Sequence, residues 1–357
     1  VSISEQLEKG RQVPEDLTPS VSVVMPVFNA GPGLVKALEG IAGLTGANYE
    51  FLVVDDGSTD GSDMLVSTWA EKHPFARPIL LSENRGAGCA RNRGLAEASG
   101  EFVWFVDCDD EWEPDILSRM LERAIGTSAD IVACRSMRVS ESGVNVGIVE
   151  SFKPGLVVSG ARAYGLVLEG RIQGHLHTKL IRRALLPTDP FPAIAVHEDL
   201  CGVVLAIAGA RRVATMGDVL YRYMEHPGSL SMSDDPATGD VDFSADVVLS
   251  VASDDGVSAR GLHVSRLMML RFTYAYRYLG KIGVARRWRD RSSAFGVVRS
   301  VRREMSLSEV LFLSIRYPAT AARALLIMVA GTKYFALATG LVMARGWLRR
   351  LRDHSRS

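Results

Sequence analysis

The chain has 357 residues, 47% of them apolar and 23% charged, and its acidic and basic side chains balance to a net charge of zero. That length accommodates two domains, the composition excludes a chain disordered throughout, and the neutral balance gives no basis for nucleic-acid binding. The charge is nevertheless segregated. From Arg286 onward fifteen Lys and Arg stand against four acids, a net of +11 that the preceding residues balance with −11. The final stretch therefore suits an anionic surface, either a membrane or a polyanionic substrate.

In chain order, Val1–Ser20 is polar, contains Pro14 and Pro19, and has no signal-peptide apolar core. The four cysteines, Cys89, Cys108, Cys134 and Cys201, form no CxxC pair. A reducing, cytoplasmic setting is the expectation. From Ser20 short apolar runs alternate with helical periodicities. Strands are predicted over Val21–Val27, Tyr49–Val54, Arg77–Leu81, Phe102–Val106 and Asp130–Cys134. Helices are predicted over Leu34–Leu44, Asp63–Lys72, Ala87–Ser99 and Pro114–Gly126. The alternation predicts an α/β domain of Rossmann-like character, a mostly parallel sheet flanked by helices.

Farther along, Ser159–Leu168, Lys179–Leu185 and Asp199–Ala208 read as helices, and Arg212–Met216 and Val219–Tyr223 as short strands. Residues 232–258, rich in Ser and Asp, are expected to be a linker or exposed loop, followed by a helical basic region over 259–357. The expected organisation is an extension over 1–19, a catalytic-type α/β domain over 20–231, that linker, and the C-terminal helical region.

Three predicted strands end in polar groups: Met25-Pro26-Val27-Phe28-Asn29, Val54-Asp55-Asp56-Gly57-Ser58, and Val106-Asp107-Cys108-Asp109-Asp110. Asp and Gly after a strand often serve only as turn residues. Ligands of open α/β sheets, however, sit beyond the carboxyl ends of parallel strands, and acids placed there repeatedly would converge on one cleft. Asp107 and Asp109, two residues apart, are suited to share one hard cation such as Mg²⁺ or Mn²⁺, which favours oxygen ligands and is usually completed by substrate phosphates. The small-residue loop Asn84–Asn92 opens a helix, so backbone N–H groups there can approach an anion. Arg85 and Arg91 can add positive charge, unless Arg91 instead pairs with a nearby acid.

Taken together, VSVVMPVFN, VVDDGSTDGS, NRGAGCARNRGL and GEFVWFVDCDD resemble, in order and spacing, the signature of family 2 glycosyltransferases with the GT-A fold. The resemblance covers roughly residues 20–230 and implies an inverting transfer from a nucleotide-diphosphate sugar, by default a UDP-sugar, to a hydroxyl acceptor. It implies that Pro26, Phe28 and Asn29 lie on the donor side with Asn84, Arg85 and Arg91. Asp56 would accept a hydrogen bond from the base, and Asp107 would face the ribose or the metal. Asp109 would bind the Mn²⁺ or Mg²⁺ that bridges the diphosphate. Asp199, in His197-Glu198-Asp199, matches the general base. Tyr221-Arg222-Tyr223 with the segment from His226 resembles a loop that closes over the donor, and in some relatives a His at the position of His226 completes the metal shell. Lys179–Arg183 matches a short basic stretch of the family, but His177-Thr178 stands where the family usually has Trp-Asn. His175 and His177 have a zinc-like spacing without a further ligand cluster nearby in sequence, so no zinc site is expected.

Two other readings compete. A sugar nucleotidyltransferase would need a lysine-rich phosphate loop near the N-terminus, and the first loop has none. A non-enzymatic scaffold that binds nucleotide sugars in a membrane polysaccharide complex would not need Asp56, Asp107, Asp109 and Asp199 all together. In the tail, Ala324–Ala344 is apolar, flanked by Arg323 and by Arg345, Arg349, Arg350 and Arg352. It is long enough to span a bilayer, but Lys333 in its middle costs about 2.5–3.5 kcal/mol on insertion scales. A helix lying on the membrane surface is the better expectation, with Trp347 at the interface. This suits a glycan, cell-envelope polymer or lipid-linked acceptor at the inner face of the cell membrane.

Overall fold

The computed structural model describes residues 20–225, 238–253, 266–285 and 291–331. They divide into two compact units. Of the described residues, the first takes in 20–163, 173–193 and 198–225, and the second takes in 164–172, 194–197 and those from 238 onward.

The first unit is built on one sheet. Its opening strands are Val21–Val27 (β1), Tyr49–Asp55 (β2), Ala76–Leu80 (β3) and Phe102–Phe105 (β4). Glu111–Trp112 (β5), Ile131–Val139 (β6), Asn145–Ile148 (β7) and Val157–Val158 (β8) follow. Lys179–Arg182 (β9) and Val213–Met224 (β10) complete it. The spatial order is β3-β2-β1-β4-β9-β6-β10-β5. The neighbours β3-β2-β1-β4 are parallel, as is β6 with β10, while β9 runs antiparallel between β4 and β6. The sheet is thus parallel where the first four strands lie and mixed beyond them.

Strands β1, β2 and β4 are buried on both faces, as parallel strands covered by helices are. On one face Val23, Met25, Phe51, Val53 and Trp104 pack with Gly33–Ala42 (α1) and Ile116–Thr127 (α4), through Leu34, Leu38, Ile41, Leu117 and Met120. Ser62–Ala70 (α2) adds Val66. On the other face Ala87–Glu97 (α3) seats so closely that a Cβ on Gly94 would stand 2.4 Å from Val24 Cγ1. At the start of the same helix a Cβ on Gly88 would stand 2.5 Å from the Pro192 carbonyl oxygen. That seat holds Arg91, one turn before Gly94, against the carboxyl ends of the strands. Gly160–Leu168 (α5) and Glu198–Gly209 (α6) complete the helices up to residue 225.

Three expectations change here. Lys179–Leu185, expected as a helix, is the strand β9 followed by a 3₁₀ turn over Arg183–Leu185. Leu180 and Ile181 are both fully buried, and a short apolar run between two strands carries no periodicity to tell helix from strand. The two short strands near 212–223 are one strand, β10, with register shifts between Thr215 and Tyr221 around Gly217. Residues 232–258, expected as a linker, include the helix Thr238–Ser253 (α7). There Val241, Ser244, Ala245, Val248 and Val251 are buried at helical spacing. Ser244 Oγ satisfies itself on the Asp240 carbonyl, so the Ser and Asp content hid an amphipathic helix.

The second unit continues with Arg266–Phe272 (α8), a π-turn over Thr273–Tyr278, and Leu279–Ala285 (α9). Arg291–Glu304 (α10) and Leu307–Ser314 (α11) follow, and residues 318–331 are also helical. Tyr274, Ile282, Val298, Val301, Leu313, Ala324 and Ile327 form its core. Arg277 and Lys281 both pair with Asp242.

Two of these helices leave apolar stripes uncovered. On α11 and the residue after it, Leu307, Leu311 and Ile315 recur every fourth residue beside Phe312, and Leu311 and Ile315 are 60% and 76% exposed. On 318–331, Leu325, Leu326 and Val329 are exposed opposite the buried Ala321, Ala324 and Ile327. No helix among the described residues is long and apolar enough to cross a membrane. The expected surface helix over 324–344 lies outside the described residues beyond 331.

Candidate active site

The carboxyl ends of β1, β2 and β4 meet side by side. Val27 pairs with Asp55, the Asp56 N–H donates to the Val27 carbonyl, and the Val106 N–H donates to the Val24 carbonyl. The three polar segments predicted at these strand ends are therefore neighbours. A hollow of about 490 Å³ lined by Ser20, Asn48, Glu101 and Arg182, among others, lies instead at the amino ends of β1 and β4, away from these groups.

After β1, Pro26 is half-buried and Phe28 and Asn29 are exposed. Asn29 adopts a left-handed backbone (φ 46°), which Asn tolerates better than most residues. Its Oδ1 accepts from the Thr59 N–H at 2.8 Å. After β2, Asp56 is buried and accepts from the N–H groups of Arg85 and Gly86, the latter at 2.7 Å. Burial raises its carboxyl pKa, and the two N–H donors oppose that. Asn84 Oδ1 also accepts from the Gly86 N–H, while the Arg85 side chain is exposed. The small-residue loop thus spends two N–H groups on Asp56, which fixes the entry to α3.

Arg91 takes the paired alternative. Its buried guanidinium donates to Asp107 Oδ1 at 2.7 Å and to Glu198 Oε1. Burial opposes its charge, but Asp107 and Glu198 hold it firmly protonated. The same contact works on Asp107. Burial alone would raise that carboxyl, yet Arg91, with His177 beside it, holds it well below the usual carboxylate range. Arg91 therefore ties the acidic turn after β4 to the first residue of α6, Glu198, which is 107 positions from Arg91 in sequence. Asp199, the next residue, sits in the first turn of α6 with Oδ1 on the Leu200 N–H at 2.7 Å. Its charge acts on both Arg91 and Lys179.

In the turn itself the Asp110 N–H reaches back to the Asp107 carbonyl. Asp110 is buried and accepts from the Tyr221 hydroxyl at 2.8 Å and the Met224 N–H at 2.7 Å. Burial, with Asp107 and Asp109 close by, raises its pKa well above the carboxylate range. Asp109 is exposed. Among the described residues, one group could hold a metal ion, namely Asp107, Asp110 and His177, whose ligand atoms lie within 4.8 Å of one another. Two carboxylates and an imidazole fit a divalent cation. The expected pair, Asp107 with Asp109, is thus not the pair grouped here, and His226 lies outside the described residues.

His177 is the residue whose place among these acids the sequence did not signal. It packs flat on Tyr221, ring centroids 4.2 Å apart, within a stack that also holds His175 and Tyr223. Beneath the stack Glu150 accepts from the Ser136 N–H and faces His175 at 3.9 Å. Lys179 is buried and donates to the His175 carbonyl at 2.6 Å. Burial lowers its pKa to about 8, against the pull of Glu150 and Asp199. The only sequence hints were the departure from Trp-Asn at 177–178 and the i,i+2 histidines, and the acids beside His177 arrive from the turn after β4.

Residues 22–186 match the family described as Glycosyl transferase family 2. The succinoglycan biosynthesis protein ExoO of Rhizobium meliloti is 30% identical over 225 residues, covering 60% of this chain and 64% of that protein. The cholesterol galactosyltransferase of Borreliella burgdorferi is 30% identical over 224 residues, covering 60% and 62%. The chain therefore spans a little under two thirds of the length of these curated relatives. Among solved structures, S. aureus TarS 1–349 in complex with UDP-GlcNAc superposes with a TM-score of 0.61 over 88% of this chain and 92% of that one. At 18% identity that likeness establishes the GT-A-type fold alone. Over residues 22–186, a little under half of its length, the chain is similar to glycosyl transferase family 2.

Proposed function

We propose that the protein is an inverting glycosyltransferase that moves a sugar from a nucleotide-diphosphate donor to a hydroxyl of a glycan, cell-envelope polymer or lipid-linked acceptor. The observation that carries this reading is the Arg91 bridge. It brings the acidic turn at Asp107, suited to a donor diphosphate and its cation, next to the Glu198-Asp199 pair, suited to an acceptor. A uridine donor is the default, in keeping with the UDP-GlcNAc in the similarly folded TarS. The succinoglycan and the cholesterol named for the two relatives support an acceptor of that kind.

In this reading Pro26, Phe28 and Asn29 border the donor base, and Asp56 orders the loop from Asn84 through Arg85 beside it. Asp199 takes the proton from the acceptor hydroxyl as its oxygen attacks the anomeric carbon from the face opposite the diphosphate. The bond to the diphosphate breaks, the nucleotide leaves with that electron pair, and the configuration inverts. A Mn²⁺ or Mg²⁺ held among Asp107, Asp109 and Asp110, with His226 as a further candidate ligand, would supply Lewis-acid stabilisation of the leaving diphosphate.

The C-terminal helices add a location. Their exposed apolar stripes, on a stretch rich in arginine, suit the inner face of an anionic membrane. Such a setting would place a lipid-linked acceptor near its enzyme.

The reading is tested with Asp199→Asn. Donor binding, followed by calorimetry with UDP or a UDP-sugar, should persist, while transfer falls by about 10²–10⁴-fold. Lost donor binding with unchanged folding would make Asp199 structural and remove it as the base.

A further inference from the structure

Building on that reading for the presence of a cation, we propose that His177 is a nitrogen ligand of a divalent-ion site formed with Asp107 and Asp110. That nitrogen makes the site prefer manganese-type transition ions over magnesium.

The geometry argues for it in three ways. The Asp107–Asp110 turn sets the two carboxylates on one side, and the imidazole reaches them from the segment before β9. His177 Nδ1 stands 3.9 Å from Asp107 Oδ2. That separation is too long for a hydrogen bond, but two ligands each about 2.0–2.2 Å from one ion can stand up to ~4.2 Å apart. Finally, the ring is only 5% exposed, and among the described residues its Nε2 has no hydrogen-bond partner, so no protein group fixes which ring nitrogen carries the proton. The Nδ1 on the Asp107 side is therefore free to present its lone pair to an ion.

The surroundings hold the ring in place. His177 is pinned by its stack on Tyr221, whose hydroxyl donates to Asp110, and its carbonyl accepts from Trp104 Nε1 at 2.8 Å. Asp107 Oδ1 is committed to Arg91, which leaves Oδ2 as the oxygen on the imidazole side. An indole at position 177 could supply the same stacking but only a donor N–H, never a lone pair. Imidazole suits transition ions, whereas Mg²⁺ is satisfied by carboxylates and water, so the histidine sets selectivity rather than mere affinity.

The test uses the full chain, freed of metal by chelation, with UDP present. Mn²⁺ affinity is read from the electron paramagnetic resonance of free ion, and Mg²⁺ affinity by competition. The wild type should favour Mn²⁺ by about tenfold or more and show ¹⁴N modulation in the pulsed spectrum of bound Mn²⁺. His177→Phe keeps the stack on Tyr221 and removes the nitrogen. It should bring the two ions within about threefold and abolish the modulation, with His177→Gln as a second variant should the first fold poorly. An unchanged ion ratio, or modulation that survives in the variants, overturns the assignment. So does a wild type that binds no ion, and there donor turnover that resists chelator would leave glycosyl transfer standing while the metal site falls.

Discussion

The two units handle surface in opposite ways. The sheet unit buries charge: Arg91, Asp107, Asp110, Glu150, Lys179 and Glu198 sit inside or at the rim of its core, each held by named partners. The helical unit keeps the Arg277 pairs with Asp242 and Asp246 nearer solvent, although Glu169 is buried beside Arg316. What it leaves uncovered is apolar, along Leu307, Leu311, Ile315, Leu325, Leu326 and Val329. Burying ions costs stability unless every partner is present, and exposing a leucine stripe costs solubility unless something covers it. In the proposed function the first pattern holds the chemistry at fixed geometry, and the second is the docking face.

The contrast can be broken at several points. Arg91→Met should do the most damage in the sheet unit, since it strands Asp107 and Glu198 without their counter-charge. A loss of about 3–5 kcal/mol is expected in denaturant unfolding, and a variant as stable as wild type would remove the bridge from the reading. Lys179 tests the same principle through pH. Its folded pKa of about 8 lies below the ordinary lysine value of 10.5, so between those pH values the unfolded chain binds more protons than the folded one. Stability gains from this group as pH rises through that window, by about 3 kcal/mol in total. Lys179→Met should be flatter than wild type there in urea unfolding followed from pH 7.5 to 10.5. An identical slope in the two proteins would refute the buried-amine account. The smallest effect on folding is expected from Leu311→Glu with Ile315→Glu. Exposed positions usually change stability by within about 0.5 kcal/mol, yet co-sedimentation with vesicles containing phosphatidylglycerol should drop. Undiminished binding would move the docking face elsewhere.

How much of this was written in the sequence differs between the units in the same way. The strand–helix alternation from Val21 to Cys134 is periodic and local, and the structure places every one of those elements within a few residues of its expected position. The polar groups after β1 and the acids after β2 and β4 were legible because topology alone gathers the ends of adjacent parallel strands. Strand β9 was not, because Leu180 and Ile181 become a buried strand only through neighbours on both sides. Nor was His177, whose acid partners lie 67 and 70 residues earlier in the chain. The helix Thr238–Ser253 was hidden by its Ser and Asp, although Val241, Ala245 and Val248 carry its period.

The tight seat of α3 sets a rule for anyone diversifying this protein. Gly88 and Gly94 admit no added carbon without displacing a backbone carbonyl or a core valine, and Arg91 rides between them. A library that randomises the whole of 84–94 to alter donor choice would mostly sample damaged scaffolds. Freedom to retune lies at the solvent-facing Arg85, whose side chain can change without lifting the helix.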